Sequence, residues 1–229
     1  MTERETDLAN DALKDITGRI AKAARIAGRK PSDIALIAVS KTRTGDEIRP
    51  LLELGHRVFG ENRVQEAATK WPDLQADYPD IQLHMIGQLQ SNKAAEAVAL
   101  FDYIHSLDRP SLIKALAKEM ERQDRRIPCF LQVNIGEESQ KGGCDITAIS
   151  DLLTLAGQSG IEIVGLMAVP PDNTNPVPYF ALLAKLARDH GLDRLSMGMS
   201  GDFETAIKLG ATHVRVGTAL FGPRASPAG

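Results

Sequence analysis

Ile34-Ala35-Leu36-Ile37-Ala38-Val39, followed at once by Ser40-Lys41-Thr42, is the stretch that decides how this chain is read. Six consecutive apolar residues, β-branched in part and stopped by polar ones, fit a short strand buried on both faces. Such strands belong to parallel sheets, whose neighbours must be reached by a crossover, usually a helix. On the amino-terminal side, Ala9, Leu13, Ile16, Ile20, Ala23 and Ala27 recur at steps of three or four and stop at Gly28 and Pro31. That spacing predicts an extra amphipathic helix over Asp7 to Ala27.

On the carboxyl-terminal side the alternation repeats. Helical spacing over Thr44 to Leu54 leads to a strand at Val58 to Gly60, and a helix from Val64 to Ala76 to a strand at Gln82 to Ile86. Asn92 to Leu100 and Pro110 to Arg122 read as helices around a strand at Tyr103 to Ser106, Pro110 taking the first helical turn where its missing N–H costs nothing. Cys129 to Ile135, Ile163 to Val169, Leu195 to Met199 and His213 to Val216 complete eight candidate strands, with helices at Thr147 to Ala156, Pro178 to His190 and Phe203 to Leu209 between them. Units of roughly 25 to 30 residues repeated eight times predict a single (β/α)8 TIM barrel, taken as one domain over residues 1–229. A doubly wound open sheet shares the alternation, but no GxGxxG follows the first strand, which disfavours its dinucleotide-binding form.

Composition narrows the function classes. The 229 residues are 43% apolar and 25% charged, ordinary globular usage. Lys plus Arg number 27 against 30 Asp plus Glu, a net charge of -3, so no basic excess is available for a nucleic-acid backbone. No run approaches the roughly 18 to 20 apolar residues of a membrane span, and the polar start at Met1 to Asn10 is unlike a secretion signal. Cys129 and Cys144 show neither CxxC nor metal-ligand spacing. A cytoplasmic protein is the expectation.

Active sites of parallel barrels lie at the carboxyl ends of the strands. Those ends carry Ser40-Lys41, Glu61-Asn62, Gly87-Gln88, Asn134, Ser200-Gly201 and Gly217-Thr218, with His84 inside the third strand and Arg215 inside the eighth. A lysine beyond a dry strand end has two readings: a desolvated, nucleophilic amine of the Schiff-base kind, or a head group snorkelling into solvent. Ser200 with the helix that follows, and Gly217-Thr218 after the last strand, match the place where barrels bind phosphate. Ser200 as a plain N-cap and Gly217 as a plain turn stand beside that reading. Arg215, among valines, needs an acceptor or a ligand; an internal pair with Glu61 or Asp202 is the alternative.

Taken together, Val39-Ser40-Lys41-Thr42, Phe59-Gly60-Glu61-Asn62-Arg63-Val64-Gln65-Glu66, and His84-Met85-Ile86-Gly87-Gln88-Leu89-Gln90-Ser91-Asn92-Lys93 resemble the pyridoxal phosphate homeostasis protein family. So do Gly165-Leu166-Met167, Leu195-Ser196-Met197-Gly198-Met199-Ser200 with Asp202, and Val214-Arg215-Val216-Gly217-Thr218 with Phe221-Gly222, across essentially the whole chain. The resemblance implies a barrel like the amino-terminal domain of alanine racemase, binding pyridoxal 5'-phosphate as a covalent aldimine on Lys41. It sets Arg215 against the pyridine nitrogen, Ser200, Gly217 and Thr218 on the phosphate, and Asn62 and His84 in the pocket wall. It implies a non-catalytic carrier that buffers the cofactor and supplies apo-enzymes. Two departures, Arg63 where many members have Tyr and Gly136-Glu137-Glu138 one residue nearer Asn134, bear on the pocket rim.

The rival reading is an amino-acid racemase, which needs acid/base groups on both faces of the imine. Lys41 supplies one; Tyr78, Tyr103 and Tyr179 are the only tyrosines and none is expected at a strand end beside it. The chain ends at Gly229, with no second domain to add a tyrosine or a dimer contact, so a monomer is expected. A phosphosugar enzyme with a lysine base is a third reading. His84 and His105 are expected to be satisfied barrel histidines rather than metal ligands. His56, His190 and His213 are expected at the surface, Cys144 in an accessible loop, and Lys93 and Lys141 in solvent, with a second anion as the alternative for both lysines.

Overall fold

The computed structural model describes residues 3–138 and 140–222; the ends of the 1–229 range and Ser139 of the polar loop lie outside the described residues. Eight parallel strands, β1 (Ala35–Val39), β2 (Val58–Glu61), β3 (Gln82–Met85), β4 (Tyr103–Leu107), β5 (Cys129–Gln132), β6 (Ile163–Met167), β7 (Arg194–Ser196) and β8 (His213–Val216), pair in chain order and close into a barrel. Closure is made by β8 on β1, from Ala35 opposite His213 to Ala38 opposite Val216. Around it run α1 (Glu3–Ile26), α2 (Gly45–Glu53), α3 (Val64–Asp77), α4 (Ala94–Leu100), α5 (Pro110–Arg122), α6 (Ile149–Gln158), α7 (Val177–Asp189), α8 (Phe203–Lys208) and α9 (Thr218–Phe221). The expected (β/α)8 TIM barrel with its extra amino-terminal helix is therefore the fold.

Alternation along each strand sorts the core into two parts. Leu36 and Ala38, Phe59, Leu83 and Met85, Leu131, Leu166, and Val214 with Val216 face outward and merge with the buried helix faces into one apolar cluster. Residues of the opposite parity fill the barrel, and many are polar: His84, His105, Ser196, His213 and Arg215 are buried there beside Ile37 and Phe130. The rings of His84 and His213 lie 6.2 Å apart although β3 and β8 are not neighbours, so that contact crosses the barrel interior.

Helix α1 buries Ile16, Ile20, Ala23 and Ala24 against α2, α8 and α9. It stops at Gly28, whose φ of 68° lets Arg29 N donate back to Ala24 O at 2.9 Å. Helix α2 starts at a capping box, with Glu47 N donating to Thr44 Oγ1 at 3.3 Å and Thr44 N to Glu47 Oε2 at 2.8 Å.

The main departures from the sequence reading are three strand ends, one short helix and two exposures. β5 stops at Gln132 rather than Ile135, because the Asn134 amide takes over the backbone of Glu138, donating to its O at 2.9 Å and accepting from its N at 3.1 Å. β6 ends at Met167, ahead of Pro170. β7 ends at Ser196 because Gly198 adopts φ 93°. Thr218 to Phe221 form a short helix that no periodicity announced. His213 is buried inside the barrel, not at the surface, and Cys144 is buried, not accessible, its amide donating to Gln132 O at 2.9 Å; burial pushes its thiol up to about 12.

Candidate functional site

β1 delivers Lys41 into a turn at the carboxyl-terminal face, closed by Arg43 N donating to Ser40 O at 3.0 Å. Lys41 is half-buried and continues the inward parity of Ile37 and Val39. The Arg43 guanidinium donates to Gly222 O at 2.6 Å, which ties this turn to the segment after β8.

The β7 and β8 ends are built to meet it. At Gly198 a Cβ would lie 2.6 Å from the Ala206 side chain and 2.9 Å from Phe203 Cα, so only glycine turns the chain here. Gly198 O accepts from Arg215 N at 2.9 Å, binding the β7 loop to β8. Asp202 occupies the N-cap position of α8, but its carboxylate accepts from Met199 N at 2.6 Å rather than from a helix amide. Ser200 thus lies within the turn and is not the N-cap, which removes the plain capping reading. A Cβ on Gly217 would stand 3.2 Å from Val39 O, so the end of β8 packs against the end of β1, two residues before Lys41. Thr218, the first residue of α9, is exposed. Lys41, Ser200, Arg215, Gly217 and Thr218 are therefore gathered on the β7–β8–β1 side of the barrel.

Arg215 is buried, and its guanidinium donates to Ser196 Oγ at 2.6 Å and Ala168 O at 3.0 Å. The internal carboxylate pair is not formed: Glu61 points to the outer face of the wall, and Asp202 is engaged by Met199. Burial pushes the guanidinium down to about 10, against the opposing pull of Asp202. From Ser196 a chain of contacts continues to His105 Nδ1 at 2.8 Å, and from His105 Nε2 to His84 Nδ1 at 2.8 Å. Burial holds His84 down to about 3, with His213 adding to it, and holds His105 well below the imidazole range. His213 is lowered to about 4 by burial and by Arg194. The interior histidines are neutral at pH 7, and Arg215 is the cation among them.

His84 is thus placed differently from the other predicted residues. It is the third residue of β3, 1% exposed, with its ring stacked on Tyr103 at 4.5 Å, inside the barrel rather than at a strand end. Its Nε2 has no hydrogen-bond partner among the described residues. Asn62, half-buried just past β2, has its backbone against Gly87, where a Cβ would lie 2.3 Å from Asn62 O. Lys141 is engaged by Glu138 Oε2 at 2.9 Å and Pro170 O at 3.0 Å, and Lys93 by Glu96 at 3.0 Å. Sequence reasoning missed Ser196 and Ala168 as the holders of Arg215. It also missed Lys70 and Trp71, whose partner Glu61 was the available signal.

A cavity of about 660 Å³ lies elsewhere, between α1, α2 and α9, lined by Leu8, Pro50, Leu51, Leu220 and Phe221 with Asp46 and Arg49. It contains none of the predicted residues, and the polar groups that converge are at the strand ends.

Comparison with known proteins agrees with this fold. The family model described as "Alanine racemase, N-terminal domain" matches residues 12–225. A curated relative from Pseudomonas aeruginosa, named "Pyridoxal phosphate homeostasis protein", is 39% identical over 220 residues, covering 93% of this chain and 94% of its own. Among solved structures, a Bifidobacterium adolescentis protein described as unknown superposes with a TM-score of 0.90 at 31% identity, covering 96% of this chain and 97% of its own. PipY of Synechococcus elongatus, solved with PLP bound, superposes at 0.76 with 38% identity, covering 89% of this chain and all of its own, 100%.

Proposed function

We propose, from the premise that this chain belongs to the pyridoxal phosphate homeostasis proteins within the alanine racemase N-terminal-domain family, that it holds pyridoxal 5'-phosphate covalently through Lys41 and serves as a reservoir of the cofactor for apo-enzymes, without turnover of its own. The whole of 1–229 acts as one domain in this reading, a monomer of the cytoplasm. Among the described residues no helix is long and apolar enough to cross a membrane.

The residues fit the cofactor. Arg215 spends two contacts on Ser196 and Ala168, leaving the other N–H groups of its fork for a ring nitrogen. Ser200, Gly217 and Thr218 offer hydroxyls and close backbone approach for a phosphate beside Lys41. Asn62 and the unpartnered Nε2 of buried His84 are the remaining candidates for the wall. When bound, the cofactor supplies an aldehyde for the lysine amine and an electron-withdrawing ring.

The observation that carries the reading is that Arg215 is buried and hydrogen-bonded to neutral groups only. A guanidinium that stays protonated would donate to a pyridine nitrogen without giving up its proton. Arg215 so placed would leave the ring a weaker electron sink, which suits holding the cofactor rather than abstracting an α-proton.

The racemase reading draws on the name of the family model. It requires a second acid/base group across from Lys41. Tyr103 opens β4 at the opposite face, its hydroxyl 3.4 Å from Arg194, Tyr78 ends α3 under Arg57, and Tyr179 lies on α7. None of them is placed for that task.

The test is the absorption spectrum of the protein with added pyridoxal 5'-phosphate, before and after borohydride, beside Lys41→Ala. A visible band that reduction fixes on Lys41 and the variant lacks is expected, with no interconversion of D- and L-alanine. A wild-type protein without the band overturns cofactor binding and favours a phosphosugar enzyme; alanine turnover overturns the carrier reading alone.

A further inference from the structure

The residue after Lys41 is held in a conformation that its side chain resists. Thr42 has φ 64°, in the left-handed region that β-branched residues avoid. Such a conformation persists only where the surroundings over-determine it. Those surroundings come from the outside of the barrel, from β2 and the first turns of α3.

Glu66 and Lys70, four residues apart on α3, form an ion pair at 3.0 Å. Glu66 Oε1 accepts from Thr42 N at 2.5 Å, so the strained residue is gripped by its own amide. The Lys70 ammonium, 9% exposed, donates to Ser40 O at 2.8 Å and Arg43 O at 3.0 Å, one carbonyl on each side of Lys41-Thr42. It also meets Glu61 Oε1 at 2.8 Å. That same oxygen accepts from Ser40 Oγ at 2.6 Å and Trp71 Nε1 at 3.1 Å. Glu61 is wholly buried; burial raises its carboxyl above the usual carboxylate range, and Lys70 opposes that rise.

We infer that Glu61, Glu66 and Lys70 form a clamp that positions Lys41 by holding the Ser40–Arg43 turn from outside the barrel, with Lys70 as its pivot. The role of Lys41 itself rests on the proposed function; the hold on the turn does not. The clamp touches neither cofactor nor substrate, so its members are positioning residues. It also keeps a second lysine at this turn, Lys70, engaged by two carboxylates.

The experiment uses the full chain as wild type, Glu66→Ala, Lys70→Met and Lys70→Met with Thr42→Gly. Two quantities are read: hydrogen exchange of residue 42's amide in protein without cofactor, and the rate at which added pyridoxal 5'-phosphate is captured and fixed by borohydride on Lys41. Loss of one clamp hydrogen bond is expected to speed residue 42's exchange and slow capture by about tenfold each, with β5 amides unchanged. Glycine adopts a positive φ freely, so Thr42→Gly is expected to return the capture rate in Lys70→Met to within about threefold of wild type. A purely structural role would lower the melting temperature and leave both readouts where they were, and that result overturns the clamp. If Lys70→Met does not fold, Glu66→Ala decides by the same readouts. Wild type that captures nothing on Lys41, with residue 42's exchange still responding, supports the clamp and overturns only the cofactor reading.

Discussion

Glu61 and Arg215 are both buried charged side chains of the same barrel wall, one facing out and one facing in, and their surroundings differ in kind. Glu61 is given a cation, Lys70 at 2.8 Å, and two neutral donors, Ser40 and Trp71. Arg215 is given a hydroxyl and a carbonyl and no carboxylate. Taking a charge out of water is costly unless it is paired, so the outer wall follows the usual rule and the inner wall departs from it. A structural charge is completed by a contacting partner, whereas Arg215, beside a turn that carries a lysine, has no carboxylate in hydrogen-bond contact and only the pull of Asp202 without contact. The difference is what the proposed cofactor site draws on at the inner face of the wall.

Acid breaks the comparison most strongly. The inner wall has a single charge only while its histidines stay neutral. Unfolded histidines take up protons below about 6.5, whereas His84 and His213 resist until about 3 and 4. The unfolded state then binds more protons, and stability falls as the pH drops through that window. Between pH 7.5 and 5 the loss is expected to be about 2 kcal/mol for each of His84 and His213, with His105 adding in the same direction. Urea midpoints at the two pH values, repeated in a His84→Gln variant with a shallower expected dependence, check it.

Lys70→Met attacks the outer wall, leaving a buried carboxyl without its cation. A loss of about 3 kcal/mol in unfolding free energy is expected, read by denaturant titration. Arg215→Met removes the buried inner cation, which has no carboxylate in contact, and leaves Ser196 and Ala168 without a donor, two effects that oppose each other. Its stability is expected to change by about 1 kcal/mol or less, while the visible spectrum with pyridoxal 5'-phosphate shifts. An Arg215→Met protein as unstable as Lys70→Met would erase the distinction between the two walls. Smallest is Thr42→Gly in the wild-type background, where relief of the positive φ and the greater freedom of the unfolded glycine offset to within about 0.5 kcal/mol by thermal melting.

Much of the fold was legible because several strands buried on both faces are largely apolar, as in Leu36-Ile37-Ala38, and because crossover helices keep a regular spacing. Boundaries were less so. β7 stops at Ser196 for the sake of Gly198, and β5 at Gln132 for the sake of Asn134, each a local backbone event that hydrophobic spacing does not register. His213 reads as a flanking residue until the barrel closes and places its ring 5.0 Å from Phe130. Of the candidate site, Lys41, Ser200 and Thr218 stood out as polar side chains, and Gly217 as a backbone turn, at strand ends, where the architecture sends them. The partners of Arg215 did not, since Ser196 and Ala168 are 19 and 47 residues away along the chain and one of them contributes only a carbonyl.

By itself the sequence determined the number and order of strands, the kind of sheet and the end of the barrel that carries polar chemistry, because burial and alternation act locally along the chain. It also placed the chain among its relatives through blocks of residues in order. Only the tertiary structure decided that Arg215 turns to a serine rather than a carboxylate, that Glu61 faces away from it toward Lys70, and that Thr42 is held in the left-handed region. Each of these depends on which face of the wall a side chain occupies and on which distant residue reaches it there. Closing eight strands around a shared axis fixes those distances all at once.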